Sequence, residues 1–236
     1  MIDPALLSAA PIWYVVFVFS LTCHEAAHAW LAKRGGDDTA YLGGQVTLNP
    51  VPHIQRSPFG TVVVPLISYL YMGWMIGWAS APYDPHWQQR YPHRAAYMAL
   101  GGPVANFILV ILAGVGIKVG MMLGVFAAPS RLTGITDLVA APAGGAAATV
   151  ALFLSIMFCL NLLLALFNMI PVPPLDGHTV VGLFMSEKNA LRFYNATQNS
   201  PFALLGIFIA WKVIGYVFWP SMKFALMLLY PGTNYQ

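Results

Sequence analysis

The chain has 236 residues, of which 58% are hydrophobic and 8% charged, with a mean hydropathy of +0.68. Ordinary soluble domains carry about 25% charged residues, so this composition excludes a soluble globular protein and points to one that crosses a membrane several times. The formal charge of +3 is spread over loops and gives no signature of nucleic-acid binding, and Cys23 and Cys159 fall in apolar stretches that indicate no disulfide framework.

Residues 6–30 form the first apolar run, with Glu25 its single formally charged side chain, inside the sequence His24-Glu25-Ala26-Ala27-His28. The run is too long for a signal-peptide core and lacks a basic leading region, so it reads as a retained membrane helix. An ionisable residue at bilayer depth costs at least ~2.5–3.5 kcal/mol, which argues that this polar group has a function. On a helix the i, i+4 spacing puts both imidazoles on one face, where two ring nitrogens can bind one zinc ion. Glu25 is then held beside the metal's open position and can take a proton from water. The alternative is a pair of histidines buried by hydrogen bonding alone.

Residues 39–50 combine β-branched and aromatic residues with a Gly43-Gly44 break and an Asn49-Pro50 stop, which predicts short strands with a turn. Further apolar segments follow at 61–80, 97–126, 146–170 and 202–230, the last interrupted by Pro220 and so one kinked helix or two shorter ones. Between them, 81–94 reads as an interfacial loop and 127–145 as a Gly/Ala/Pro linker. The expected fold is all-α and polytopic, with about five to six transmembrane or re-entrant helices and a short β-strand segment near the active site. Residues 1–236 are expected to form a single domain with no sizeable soluble part.

A second polar element runs from Asn168 through Met169, Ile170, Pro171, Val172, Pro173, Pro174 and Leu175 to Asp176, Gly177 and His178. Irregular backbone at membrane depth is tolerated only where protein or a water-filled cavity surrounds it. A catalytic zinc normally takes three protein ligands, and Asp176 is the best-placed third one beside the two histidines. Its other reading is an N-cap for a helix over 179–185.

With these motifs in order, the sequence resembles the site-2 protease family of intramembrane zinc metalloproteases, in its compact prokaryotic type without PDZ or CBS domains. The resemblance covers most of the chain. It is carried by His24 to His28, by Leu48-Asn49-Pro50-Val51-Pro52-His53, by Gly60-Thr61, by Gly77-Trp78-Ala79, by Gly102-Pro103-Val104-Ala105-Asn106, and by Asn168 to Gly177. It implies one zinc ion held by His24, His28 and Asp176, catalysis by Glu25, and a supporting polar role for Asn168. The chain departs from the type at Gln55, where an acid is common, and at Ser80, where a basic residue is common. The reaction so implied is hydrolysis of a peptide bond within or near the membrane segment of membrane-anchored proteins, in a cell (inner or plasma) membrane, for regulated proteolysis or clearance of membrane peptides.

Several roles stay open at this level. Asn168 is either a donor to the oxyanion or a helix-bridging amide. His53 is a group near substrate, a support for the metal site, a proton shuttle or an interfacial histidine. Asn106 reads mainly as a helix bridge beside Gly101 and Gly102, or as a group near substrate or the metal ligands. An unwound substrate is expected to add as a strand to the edge offered by 39–48. Rival functions are a metal-binding transporter, which would want acids or histidines on 61–80 and 146–170 where there are none, and an inactive relative, against which the intact Glu25 argues. Bringing Asp176 to the depth of the histidines requires the first and the 146–170 helices to run in the same direction. One of the two intervening segments then does not cross, and 61–80, with Pro65, Gly73 and Gly77, is the better candidate.

Overall fold

The computed structural model describes residues 4–132, 134–197, 201–233 and 235. Helix α1 (Pro4–Arg34) extends past the apolar run and ends on Lys33 and Arg34, whose charges suit both the negative end of a helix and lipid headgroups. Short helices α2 (Thr39–Leu42) and α3 (Pro50–Arg56) follow. A π-helical turn (Phe59–Val63) leads into α4 (Val64–Met72), then α5 (Pro85–Arg90) and the long α6 (Pro92–Met122). Helix α7 (Gly145–Asn168) is joined by an irregular turn to α8 (Asp176–Val180), and α9 (Glu187–Thr197) and α10 (Pro201–Leu229) complete the described fold. Among the described residues four helices, α1, α6, α7 and α10, are long and apolar enough to span a bilayer. The chain is a multi-pass membrane protein. Pro220 lies within α10 without dividing it.

The strands expected over 39–50 do not form. Asp37 Oδ1 accepts from both the backbone N–H and the hydroxyl of Thr39, which starts a helical turn, and Asn49 caps α3 by accepting from Val51 N with Pro50 at the first helical position. Local capping and proline chemistry thus outweigh β-propensity where no partner strand is at hand. Among the described residues the β-pairing is a single isolated bridge, Ala127 to Ala140. No strand edge is therefore offered by 39–48.

The helical part of the 61–80 region begins before residue 61, with five residues of π-helix (Phe59–Val63) followed by nine of α-helix (Val64–Met72). At ~1.5 Å per residue these reach about 21 Å, short of the ~30 Å hydrocarbon core. Gly73, with φ of 74°, ends α4, and the chain turns back until Trp78 N donates to Gly60 O at 3.0 Å. The segment therefore returns to the level at which it began, as a re-entrant element does.

Helix α6 packs against α1, α7 and α8. Met98 meets His28 while Asn106 meets Ser20 and His24, so α6 runs antiparallel to α1. Asn161 meets Ser20 while Asp176, beyond the end of α7, meets His24 and His28, so α7 runs parallel to α1. Helix α7 is the inner one, with 56% of its apolar window buried against 22% for α10.

Candidate metal centre

The α-helical spacing of α1 places His24 and His28 one turn apart on the face turned to α6, and both are buried. The turn after α7 brings Asp176 to them. Leu175 occupies the N-cap position of α8 with no side-chain cap, and the Asp176 carboxylate turns to the histidines instead. The N-cap reading of Asp176 is thereby set aside. Oδ2 lies 3.1 Å from His24 Nε2, Oδ1 lies 3.3 Å from His28 Nε2, and the two Nε2 atoms are 3.0 Å apart.

The opposite side of each ring fixes its proton. His24 Nδ1 lies 2.6 Å from Asn106 Oδ1 and His28 Nδ1 lies 2.8 Å from Met98 O. An oxygen at that distance accepts, so Nδ1 carries the proton in both rings and each Nε2 keeps a lone pair for the centre. Three electron-rich atoms thus converge, with Asp176 Oδ2 buried and accepting no hydrogen bond.

This donor set fits a zinc ion. Tetrahedral zinc with bonds of ~2.0–2.1 Å spaces its ligand atoms about 3.3 Å apart, close to the three separations here. The space is kept open by Gly102 of α6, where a Cβ would overlap the Nε2 atoms of both histidines. Glu25 is buried on α1 between the two histidines in sequence.

The remaining candidates separate. Asn106, fully buried, holds His24 and also bridges to α7, so its amide serves the centre as well as helix packing. Asn168, at the last turn of α7, donates to Leu164 O at 3.0 Å. His53 is buried on α3, where its Nε2 pairs with Thr47 O while Nδ1 has no partner. Asn161, in the middle of α7, is not marked in the sequence, because it is neither an acid nor a histidine and belongs to no motif. The Met98 carbonyl and the direct approach of Gly102 to the rings carry no mark in the sequence.

Fold and site together define a multi-pass membrane protein with a zinc-protease type of centre, in which a His-Glu-x-x-His helix meets a distant aspartate. The chain belongs to peptidase family M50, whose model matches residues 12–211. It is 30% identical to a Bacillus subtilis (strain 168) protein named "Putative zinc metalloprotease YwhC", over 92% of this chain and 88% of that one. It is 26% identical to "Putative zinc metalloprotease Rip2" of Mycolicibacterium smegmatis (strain ATCC 700084 / mc(2)155), over 69% of this chain and 52% of the relative. No solved structure matches it. The protein is a zinc metalloprotease of the M50, or site-2 protease, type.

Proposed function

We propose that this protein is an intramembrane endopeptidase that cuts membrane-anchored proteins or peptides within or near their membrane segments, in regulated proteolysis or in clearance of membrane peptides. It would work as a multi-pass protein of the cell membrane. The observation that carries the reading is the convergence of His24, His28 and Asp176 inside the helix bundle, with both Nε2 lone pairs aimed at one point. In this reading those three residues hold one zinc ion. When bound, zinc polarises a peptide carbonyl and lowers the pKa of a bound water toward ~7.

The chain's own residues supply the rest. Asn106 Oδ1 and Met98 O hold the two imidazoles by their Nδ1–H groups, so neither ring can turn away. Glu25, buried on the same helix as the two histidines, accepts a proton from the attacking water and returns it to the leaving amine nitrogen. Asn168 donates once to its own helix, which leaves its second amide hydrogen for the oxyanion of the substrate carbonyl. A substrate helix must unwind locally before it is cut, because all its backbone groups are paired.

The test is purified protein in lipid vesicles with a membrane-anchored reporter peptide. Wild type should release a fragment ending in or near the apolar segment, and Glu25→Gln should release none. Equal cleavage by both forms, or cleavage confined to a soluble domain of the reporter, would refute the reading.

A further inference from the structure

We infer that Asn161, which is not one of the clustered metal-site groups, is a positioning residue that decides which ring nitrogen of His24 is presented to zinc. The inference rests on the reading of His24 as a zinc ligand. It begins at a backbone carbonyl, whose oxygen can only accept. Asn161 Nδ2 lies 2.8 Å from Met157 O, and 2.9 Å from the hydroxyl oxygen of Ser20, whose own proton goes to Val16 O at 2.7 Å. Both neighbours demand a donor, so the amide of Asn161 has one orientation, with Oδ1 turned to α6.

That oxygen faces Asn106 at 2.7 Å and therefore demands Nδ2 there. With Nδ2 so placed, Oδ1 of Asn106 faces His24 Nδ1 at 2.6 Å and demands a proton on it. Nε2 of His24 is then left unprotonated, as a zinc ligand must be. The order passes from α7 to α6 to α1 through two carboxamides, and each step forces the next. His28 needs no such chain, because Met98 O accepts from its Nδ1 directly.

Without Asn161 the amide of Asn106 loses the acceptor that orients it. Ser20 O, 3.4 Å from Asn106 Nδ2, lies beyond the 2.7–3.2 Å of a good N–H···O bond and cannot hold it alone. A flipped Asn106 would aim N–H at His24 Nδ1, keep the lone pair there and move the ring proton to Nε2. The zinc-binding tautomer then becomes one of two.

An aspartate at 106 offers an oxygen on both sides, so it holds the His24 proton whatever stands at 161. Zinc affinity is measured by chelator competition on the full-length detergent-purified chain for wild type, Asn161→Leu, Asn106→Asp and the double variant. Asn161→Leu should bind zinc about 10- to 100-fold more weakly, the range for removing a group that orients a metal ligand. In the Asn106→Asp background the same change should cause no further loss, because residue 106 no longer has an amide whose orientation Asn161 could set. Melting temperatures are taken with and without zinc. A positioning role shrinks the zinc-induced rise, whereas a packing role lowers both temperatures together and leaves the rise intact. Wild-type affinity in Asn161→Leu, or equal loss in both backgrounds, overturns the inference. If Asn161→Leu does not fold, Asn161→Ala is read the same way, without added bulk. A His24→Ala protein that keeps its zinc would instead overturn the ligand reading beneath it.

Discussion

The Nε2 atoms of His24 and His28 face each other at 3.0 Å, each with its lone pair directed inward. Two such lone pairs and a carboxylate repel one another unless a cation lies among them. Zinc should therefore add stability as well as chemistry. Chelation is expected to lower the melting temperature of the purified protein, and zinc at about 100 times its dissociation constant should restore roughly 2.7 kcal/mol. An unchanged melting curve would show that the cluster holds no structural share of the ion.

Glu25 and the three clustered residues should separate by metal content. Glu25→Gln keeps the shape of the side chain but removes the base, so the variant should retain zinc and lose cleavage. His24→Ala, His28→Ala and Asp176→Ala should each lose the metal. Zinc counted per purified molecule decides it: a zinc-free Glu25→Gln or a zinc-replete Asp176→Ala would break the assignment.

Gly102→Ala places a methyl group where the two Nε2 atoms converge. The rings cannot swing aside, because their Nδ1–H groups are held on Asn106 and Met98. Zinc affinity should fall on the order of tenfold or more. Gly114→Ala on the same helix is the control, since its methyl would stand at an ordinary 3.4 Å from Phe158 and should leave zinc bound.

For Asn168 the two roles predict different losses. As an oxyanion donor its removal in Asn168→Ala should cut turnover per zinc-loaded molecule by ~10²–10³-fold with stability little changed. As a helix-bridging amide it should cost about 0.6–2 kcal/mol of stability, with turnover per folded molecule near wild type. The proposed mechanism expects the first result.

The antiparallel course of α6 places its two ends on opposite sides of the membrane. Gln89, exposed before α6, and Gly134, exposed after it, should therefore be labelled from opposite sides when changed to cysteine. The neighbouring Gln88 is buried and would report poorly. Labelling of both from one side would refute the topology.

What could be read from the sequence was what depends on local spacing or on donor type. The histidine pair needs only the helical period, and Asp176 announces itself as a carboxylate after a proline-broken turn. The inner frame of the site is different. Met98 contributes a carbonyl that every residue has, and Gly102 matters through what is missing from it. Asn161 looked like one polar residue in an apolar helix until the fold set it beside Asn106 and Ser20. The error over 39–50 has a local cause, since Asp37 accepts from Thr39 N and Asn49 caps α3, which turns a strand-like composition into helical turns.

Helix α10 is the spanning helix least enclosed by the rest of the protein, yet it leans directly on the turn that carries Asp176. A Cβ at Gly206 would overlap the carbonyl of Pro173, so helix and turn touch backbone to backbone with no side chain to cushion them. A helix surrounded by lipid takes its tilt in part from the thickness of the bilayer. Any tilt of α10 would therefore bear directly on backbone three residues before the carboxylate, with no flexible side chain between to absorb it.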